Sequence, residues 1–416
     1  MTVLNRVFPK TSGKAFQSRD WINKKWGAIL VLGLLVLGTF FLLFGYQNAY
    51  QLLGVPVFQQ TFLDLQLITG SADSLEDGFD PGVANPGDPR QRIFNYPKIW
   101  YAFLRLGLGK GATLPLGIAS LGLFFCSLAL FPHSGDRFTL TLLTLVTFSS
   151  ALMLAYERAN VDLLFFSAMV IALLMVERFP LGSLAVMILS ILFKIFPVFA
   201  CGLYLDKQKS QSIWKVLLLI GLTLLYFSLT WEDMRHIFAT TERGTDTSYG
   251  LQVAVDFLLK KQGLDFPALK QLAYGLAALL GLTALWGGCK SRSGLATVET
   301  EELRAFWAGA GIYLGTFWLG NNWDYRLMFL ILTLPALAVF VRRNLGPVKG
   351  IAHLTLGALL LSVWYLFIQR WFGQTTSAYN FFYWLDELAN WTLYFGLAWL
   401  FSSGLPAWLW PVEKQS

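Results

Sequence analysis

Apolar residues along this chain come in unbroken runs, mostly about 15 to 25 long, and not in the alternating pattern of half-buried strands. Such runs occupy 27–45, 112–131, 138–155, 161–176, 181–205, 213–231, 267–287, 305–320, 327–341, 350–371 and 388–409. Each is long enough for a helix that crosses all or much of a bilayer. A β-barrel would instead alternate over about 10 residues and is excluded. The pattern predicts an all-α polytopic membrane protein with about 11–12 transmembrane or half-membrane helices. One transmembrane domain is expected over 27–410, between an N-terminal segment, 1–26, and a short tail, 411–416. No internal repeat stands out.

The gaps between runs set the orientation. Arg6, Lys10, Lys14, Arg19, Lys24 and Lys25 precede the first run, which places the N-terminus in the cytoplasm. That run has no small-residue cleavage site and reads as a retained anchor. Residues 46–111 then form a long first extracytoplasmic loop with interfacial helices. The fifth run holds Lys194 and Pro197 near its middle. If it crosses once, Lys207, Lys209, Lys215, Arg342, Arg343 and Lys349 all lie outside, against the charge rule. If it breaks at Lys194 into a re-entrant pair, these residues stay cytoplasmic, and so do both termini. The re-entrant pair is the expectation, because proline removes an N–H and obstructs the preceding turn. Most unusual polar residues then share one face: 46–111, "YERANVD" (156–162), the Lys194 turn, 232–266, "NNWDYR" (321–326) and 372–387.

Composition sharpens this picture. The chain is 55% hydrophobic and only 14% charged, with 16 Trp, 15 Tyr and 35 Phe, well outside the range of soluble domains. The net charge of +7 follows from basic loops beside the spans, so nucleic acid is not an expected partner. Cys126, Cys201 and Cys289 supply no disulfide framework, and His133, His236 and His353 lack metal-ligand spacing. No phosphate-binding glycine loop or soluble nucleotide domain is present. An activated donor would therefore be carried by the membrane, as a lipid phosphate.

The candidate chemistry is sparse. Asp64 follows the first run closely and sits among Phe62, Leu63, Leu65 and Leu67, a setting suited to a general base; the bland alternative is a solvated or helix-capping carboxylate. The later acids, Asp73 to Asp88, read as turn residues. Arg92, Asn95 and Tyr96 in "RQRIFNYPKIW" suit a headgroup or sugar, or simple interface anchoring. In "ERANVD", Glu157, Arg158 and Asp162 can form a salt-bridged cap, and Arg158 and Asn160 are candidates for use. Lys194 within an apolar run costs several kcal/mol unless it reaches water or a counter-ion, and a phosphate there is one such partner. Arg326 beside Asp324 and Tyr325 can grip a phosphate in bidentate fashion, or merely cap the helix.

Taken in order, "TFLDL", "NYPKIW", "ERANVDLLFF", "ILFKIFP" and "NNWDYRLMFLI" resemble the multispanning glycosyltransferases of the GT-C superfamily, glycosyltransferase family 87 in particular. The resemblance spans about residues 60–340. It implies a GT-C-type fold in the bacterial plasma (inner) membrane and an extracytoplasmic active site. It also implies inverting transfer of a hexose (mannose is the family's best-known cargo) from a polyprenyl-phosphate-linked donor to a lipid-linked or envelope glycan acceptor. Asp64 would be the base. Lys194, Arg326 and Arg158 would hold the donor phosphate; Asn95, Tyr96, Asn160, Asp324 and Tyr325 would orient sugar or acceptor. Some GT-C families pair two acids in this loop around a divalent metal. Here Asp64 is flanked by Leu63 and Leu65, so no cofactor is expected. The competing reading is a transporter or flippase for a lipid-linked or anionic substrate, since intramembrane Lys and Arg also mark those proteins.

Overall fold

In the computed structural model nearly every apolar run is helical, and the described residues are 13–206, 212–264, 267–291, 298–343 and 346–409. Lys207, Lys209, residues 1–12 and the 411–416 tail lie outside them. The main helices in chain order are α1 (Gly13–Phe44), α2 (Leu63–Glu76), α3 (Thr113–Leu130), α4 (Arg137–Thr147), α5 (Ser150–Arg158), α6 (Asp162–Met175) and α7 (Pro180–Phe193). They continue with α8 (Ile213–Leu229), α9 (Trp231–Thr240), α10 (Pro267–Lys290), α11 (Thr300–Trp318), α12 (Leu334–Arg342), α13 (Pro347–Phe372) and α14 (Thr376–Gly404). A two-residue ladder, β1 (Ser248–Tyr249) with β2 (Asn322–Trp323), is the only sheet among the described residues.

Among the described residues five helical stretches are long and apolar enough to cross a membrane: Lys24–Phe44, Lys110–Leu130, Ala268–Lys290, Asp324–Arg342 and Pro347–Phe372. Two bent pairs raise the number to seven, α4 with α5 (49°) and α8 with α9 (83°). Fewer full-length spans emerge than there are apolar runs, because α6 and α7 are only 14 residues each. α11 and α14 are long but carry more polar residues. The spans differ in role. Only 6% of the Lys24–Phe44 window is buried, and its Val31, Leu32, Leu35 and Leu42 are exposed on the outside of the bundle. The Asp324–Arg342 window is 94% buried and forms the centre of the bundle.

Three irregularities position the polar residues. The fifth apolar run stops being α-helical at Lys194, which is extended (φ −159°, ψ 112°), and resumes as a 3-10 helix over Phe196–Tyr204. The run at 327–341 begins as a 3-10 helix, Asp324–Thr333, and becomes α-helical only at Leu334. Pro335 explains part of this, since it has no N–H and its ring obstructs the carbonyl one turn earlier. Both 3-10 segments pack on α11, whose glycines admit them. A Cβ at Gly309 would stand 2.7 Å from the Phe329 carbonyl oxygen, and one at Gly311 would overlap the Phe199 carbonyl. The close approach fixes the two chain segments that begin near Lys194 and Arg326. Finally, 372–387 is not the loop expected from polarity. α14 begins at Thr376 and carries Asp386 and Glu387 into the bundle, 5% and 4% exposed.

Candidate functional site

Asp64 lies in the first turn of α2 and touches two residues from distant parts of the chain. Arg92 Nη1 reaches its Oδ1 at 3.2 Å, and Asn160 Nδ2 donates to its Oδ2 at 2.7 Å. Arg92 is itself held by Asp88 (Nη2 to Oδ1, 2.9 Å) and by the Leu63 carbonyl (2.6 Å). Burial works against the charge of Arg92. The Asp88 hydrogen bond and the Asp64 charge outweigh it and hold the guanidinium pKa above its ordinary value.

The backbone is strained around this trio. Among the described residues only Phe62, Gln91 and Ala159 combine a side chain with positive φ (59°, 53° and 43°). Each stands within two residues of Asp64, Arg92 or Asn160. Left-handed conformation costs such residues ~1–2 kcal/mol apiece. Strain of this kind concentrates where surrounding structure must hold particular side chains in place.

A second group adjoins the first. Asp162, fully buried at the start of α6, accepts Lys194 Nζ at 2.6 Å on Oδ1 and Arg326 Nε at 3.0 Å on Oδ2. Arg326 also donates through Nη1 to the Asn322 side chain. Aromatic rings surround the cations: Lys194 Nζ lies 5.2 Å from the Tyr96 ring centre, and the Arg326 guanidinium 4.8 Å from that of Phe196. Ring faces attract cations at such distances. β1 pins the Arg326 turn from outside, with Tyr249 opposite Asn322 and the Asp324 N–H donating to the Thr247 carbonyl at 2.9 Å.

Asn160 joins the groups. Its Nδ2 serves Asp64, while its Oδ1 accepts the Asp162 backbone N–H at 3.0 Å. A carboxylate and a pair of cations are thereby fixed on either side of one amide. The exposures show which groups a ligand can reach: Asp64, Lys194 and Arg326 keep 18%, 14% and 15% of their side-chain surfaces, whereas Asp162 keeps none. Lys194 and Arg326 against Asp162 leave a local excess of one positive charge, beside Asp64. Burial, then the Asp64 and Asp162 charges, push the Tyr96 phenol well above its ordinary pKa, so it stays protonated and able to donate. Tyr325 is buried within electrostatic reach of Asp64, Arg326 and Asp162.

Three other expected residues are placed elsewhere. Arg158 pairs with Glu157 (Nε to Oε2, 2.9 Å), donates to the Pro56 carbonyl at 3.3 Å and stacks over Phe58. It forms a wall of its own and does not join the Lys194–Arg326 pair. Asn95 turns outward, its Nδ2 3.4 Å from the Thr241 hydroxyl at the end of α9. Asp324 is 2% exposed, and its electrostatic neighbours are Asp386, Glu387 and Asp246, not Arg326. The chain direction in a 3-10 turn explains the split: with 3.0 residues per turn, positions 324 and 326 point to different sides.

Asp88 and Asp162 are the residues that sequence reasoning undervalued. Asp88 lay in a stretch read as turns, where "GDP" signals a loop. The sequence around Asp162 suggests only a local salt-bridged cap, whereas its partners are 32 and 164 residues away. Among the described residues no group of three His, Cys, Asp or Glu side chains is arranged to hold a metal ion. Compared with protein-family models, curated proteins and solved structures, the chain matches none.

Proposed function

We propose that this chain is an inverting glycosyltransferase that moves a hexose from a polyprenyl-phosphate donor to a hydroxyl of a lipid-linked or envelope glycan. The observation that carries the reading is the fixed placement of Asp64 beside the Lys194–Arg326 pair, with Asn160 between them. A donor whose phosphate rests on the two cations and whose tail follows the apolar helices would bring its anomeric carbon toward Asp64.

The chemistry needs little more. The acceptor oxygen attacks the anomeric carbon from the face opposite the phosphate, and the carbon–oxygen bond to the phosphate breaks with its electron pair. The acceptor proton passes to Asp64. The phosphate changes from a diester with one negative charge to a monoester with nearly two, so Lys194 and Arg326 hold the leaving group more tightly than the bound donor. That differential binding lowers the barrier. Arg92 and Asn160, one on each carboxylate oxygen, orient Asp64, and Tyr96 is placed to donate to a sugar hydroxyl. A positioned base contributes ~10²–10⁴-fold and a single oxyanion donor ~10²–10³-fold.

The test is transfer by purified protein in nanodiscs from radiolabelled polyprenyl-phosphate hexoses to extracted envelope glycolipids. Wild-type transfer that falls at least ~10²-fold in Asp64→Asn supports the reading. Full turnover by the folded Asp64→Asn protein removes the base, and absence of transfer with every donor removes the reaction.

A further inference from the structure

The 158–162 turn, which links Asp64 to the Lys194–Arg326 pair, carries a second pair of cations on its other side. Arg158 and Arg90 approach one ring, that of Phe58, with their guanidinium carbons 4.3 and 5.0 Å from its centre. Three chain segments make this cluster, and the same three make the Asp64 cluster. At Asp64 the partners are Arg92 and Asn160; at Phe58 they are Arg90 and Arg158, each two residues earlier. Each cluster also ties an arginine to a carbonyl of the first segment, Arg92 to Leu63 at 2.6 Å and Arg158 to Pro56 at 3.3 Å. Cα atoms two residues apart are separated by at most ~7.5 Å, so the two clusters adjoin.

The charges repeat those of the donor pair. Arg158 Nε meets the Glu157 carboxylate at 2.9 Å, and the Glu157 side chain has no exposed surface. Arg90 is exposed, and among the described residues it hydrogen-bonds only through its backbone N–H, to Asp88 at 3.0 Å. The Arg92 guanidinium already occupies Asp88. One buried acid thus stands against two cations and leaves an excess of one positive charge, as Asp162 does against Lys194 and Arg326. Like charges at one ring repel, and an anion within reach of both relieves that repulsion. Arg158 keeps 10% of its side-chain surface, and its Nη1 has no partner among the described residues.

Order along the turn gives this cluster a place in the proposed transfer. Arg158, Asn160 and Asp162 follow at two-residue intervals and contact, in turn, Phe58, the Asp64 carboxylate and the Lys194–Arg326 pair. Inverting attack brings the acceptor oxygen from the face opposite the departing phosphate, so the acceptor lies on the side of Asp64 away from the donor cations. We propose that Arg90 and Arg158, held on Phe58, form the acceptor subsite and bind a phosphate ester beside the hydroxyl that receives the sugar. The acceptor class is then a phosphate-bearing glycolipid and not a neutral one. Arginine suits the task, since its planar fork of donors matches two phosphate oxygens. The acceptor role rests on the transferase reading; without transfer the cluster is a second anion site alone. Arg158 thereby binds phosphate, but on the acceptor and not on the donor.

The experiment is thermal unfolding of the full chain in amphipol with dioctanoyl phosphatidylinositol, the uncharged dioctanoyl glucosylglycerol or inorganic phosphate, run beside acceptor kinetics. The expected result is a saturable rise in Tm with the phospholipid alone. In Arg90→Gln, an exposed change that leaves the Glu157–Arg158 pair intact, the half-saturating concentration should rise at least ~10-fold. Lys194→Gln should keep the phospholipid response while weakening the response to polyprenyl phosphate. In transfer to a phosphate-bearing acceptor, Arg90→Gln should raise acceptor KM by a similar factor and leave donor KM unchanged. Four results overturn the subsite: an equal rise with the uncharged lipid, an equal rise with inorganic phosphate, an unchanged midpoint in Arg90→Gln, or loss of the phospholipid response in Lys194→Gln. A protein that transfers sugar without any phospholipid response loses the subsite alone. One that responds but transfers from no donor loses the transferase reading, and the acceptor role with it.

Discussion

Asn160 donates to Asp64 at 2.7 Å across 96 residues of chain, while its own side-chain oxygen receives the N–H that opens the helix of Asp162. One amide thus sets the distance between the carboxylate that would take the acceptor proton and the residue that holds both cations. Asn160→Ala removes both contacts and leaves every charge in place. Transfer is expected to fall ~10²-fold in kcat with little change in donor KM, because orientation and not affinity is lost. Steady-state kinetics on donor concentration gives both values.

Asp162 bears on stability as well as chemistry. Lys194 and Arg326 meet on its two oxygens, and all three side chains are 15% exposed or less. Removing one partner of a buried pair costs ~3–5 kcal/mol, because the remaining charge is left uncompensated. Asp162→Asn is therefore expected to unfold at lower temperature than wild type. Added polyprenyl phosphate should restore more of the loss than the same lipid as a neutral alcohol. Thermal scans of the variant in nanodiscs with each lipid make the comparison.

A pH effect is expected away from the site. Asp136 precedes α4. Burial opposes its charge, but hydrogen bonds from Thr139 and Ser134, the Thr139 N–H and the nearby Arg342 bring its pKa down to about 2. The folded value lies below the ordinary 3.8, so the contribution is fully present above that pH and is lost as pH falls toward 2. Asp136→Asn should remove this part of the acid loss: between pH 4 and 2 its Tm should fall less steeply than that of wild type. Parallel slopes in the two proteins would contradict the assignment.

The legible part of the fold was its apolar periodicity. Continuous runs marked the helices, and a lysine three residues before Pro197 marked the break at Lys194. The cluster "NNWDYR" was visible as unusual, but not its division, which sends Arg326 to Asp162 and Asp324 toward α14. That depends on the 3-10 geometry of Asp324–Thr333, which the residue types at 324–326 do not announce. The start of α14 was hidden because Asp386 and Glu387 lower the apparent hydropathy of a buried helix. The Asp64–Arg92–Asn160 trio could be suspected from residue types, but not joined. Its geometry rests on left-handed Phe62, Gln91 and Ala159, which carry none of the glycine signal that usually announces positive φ.

The central claim, one site in which the Lys194–Arg326 pair holds a donor phosphate beside Asp64, is tested most directly by a structure with a non-hydrolysable polyprenyl-phosphate sugar. The account predicts phosphate oxygens within ~3.2 Å of Lys194 Nζ and the Arg326 guanidinium, with the anomeric carbon facing Asp64. Phosphate bound elsewhere, or a sugar on the side of the cations away from Asp64, would contradict it.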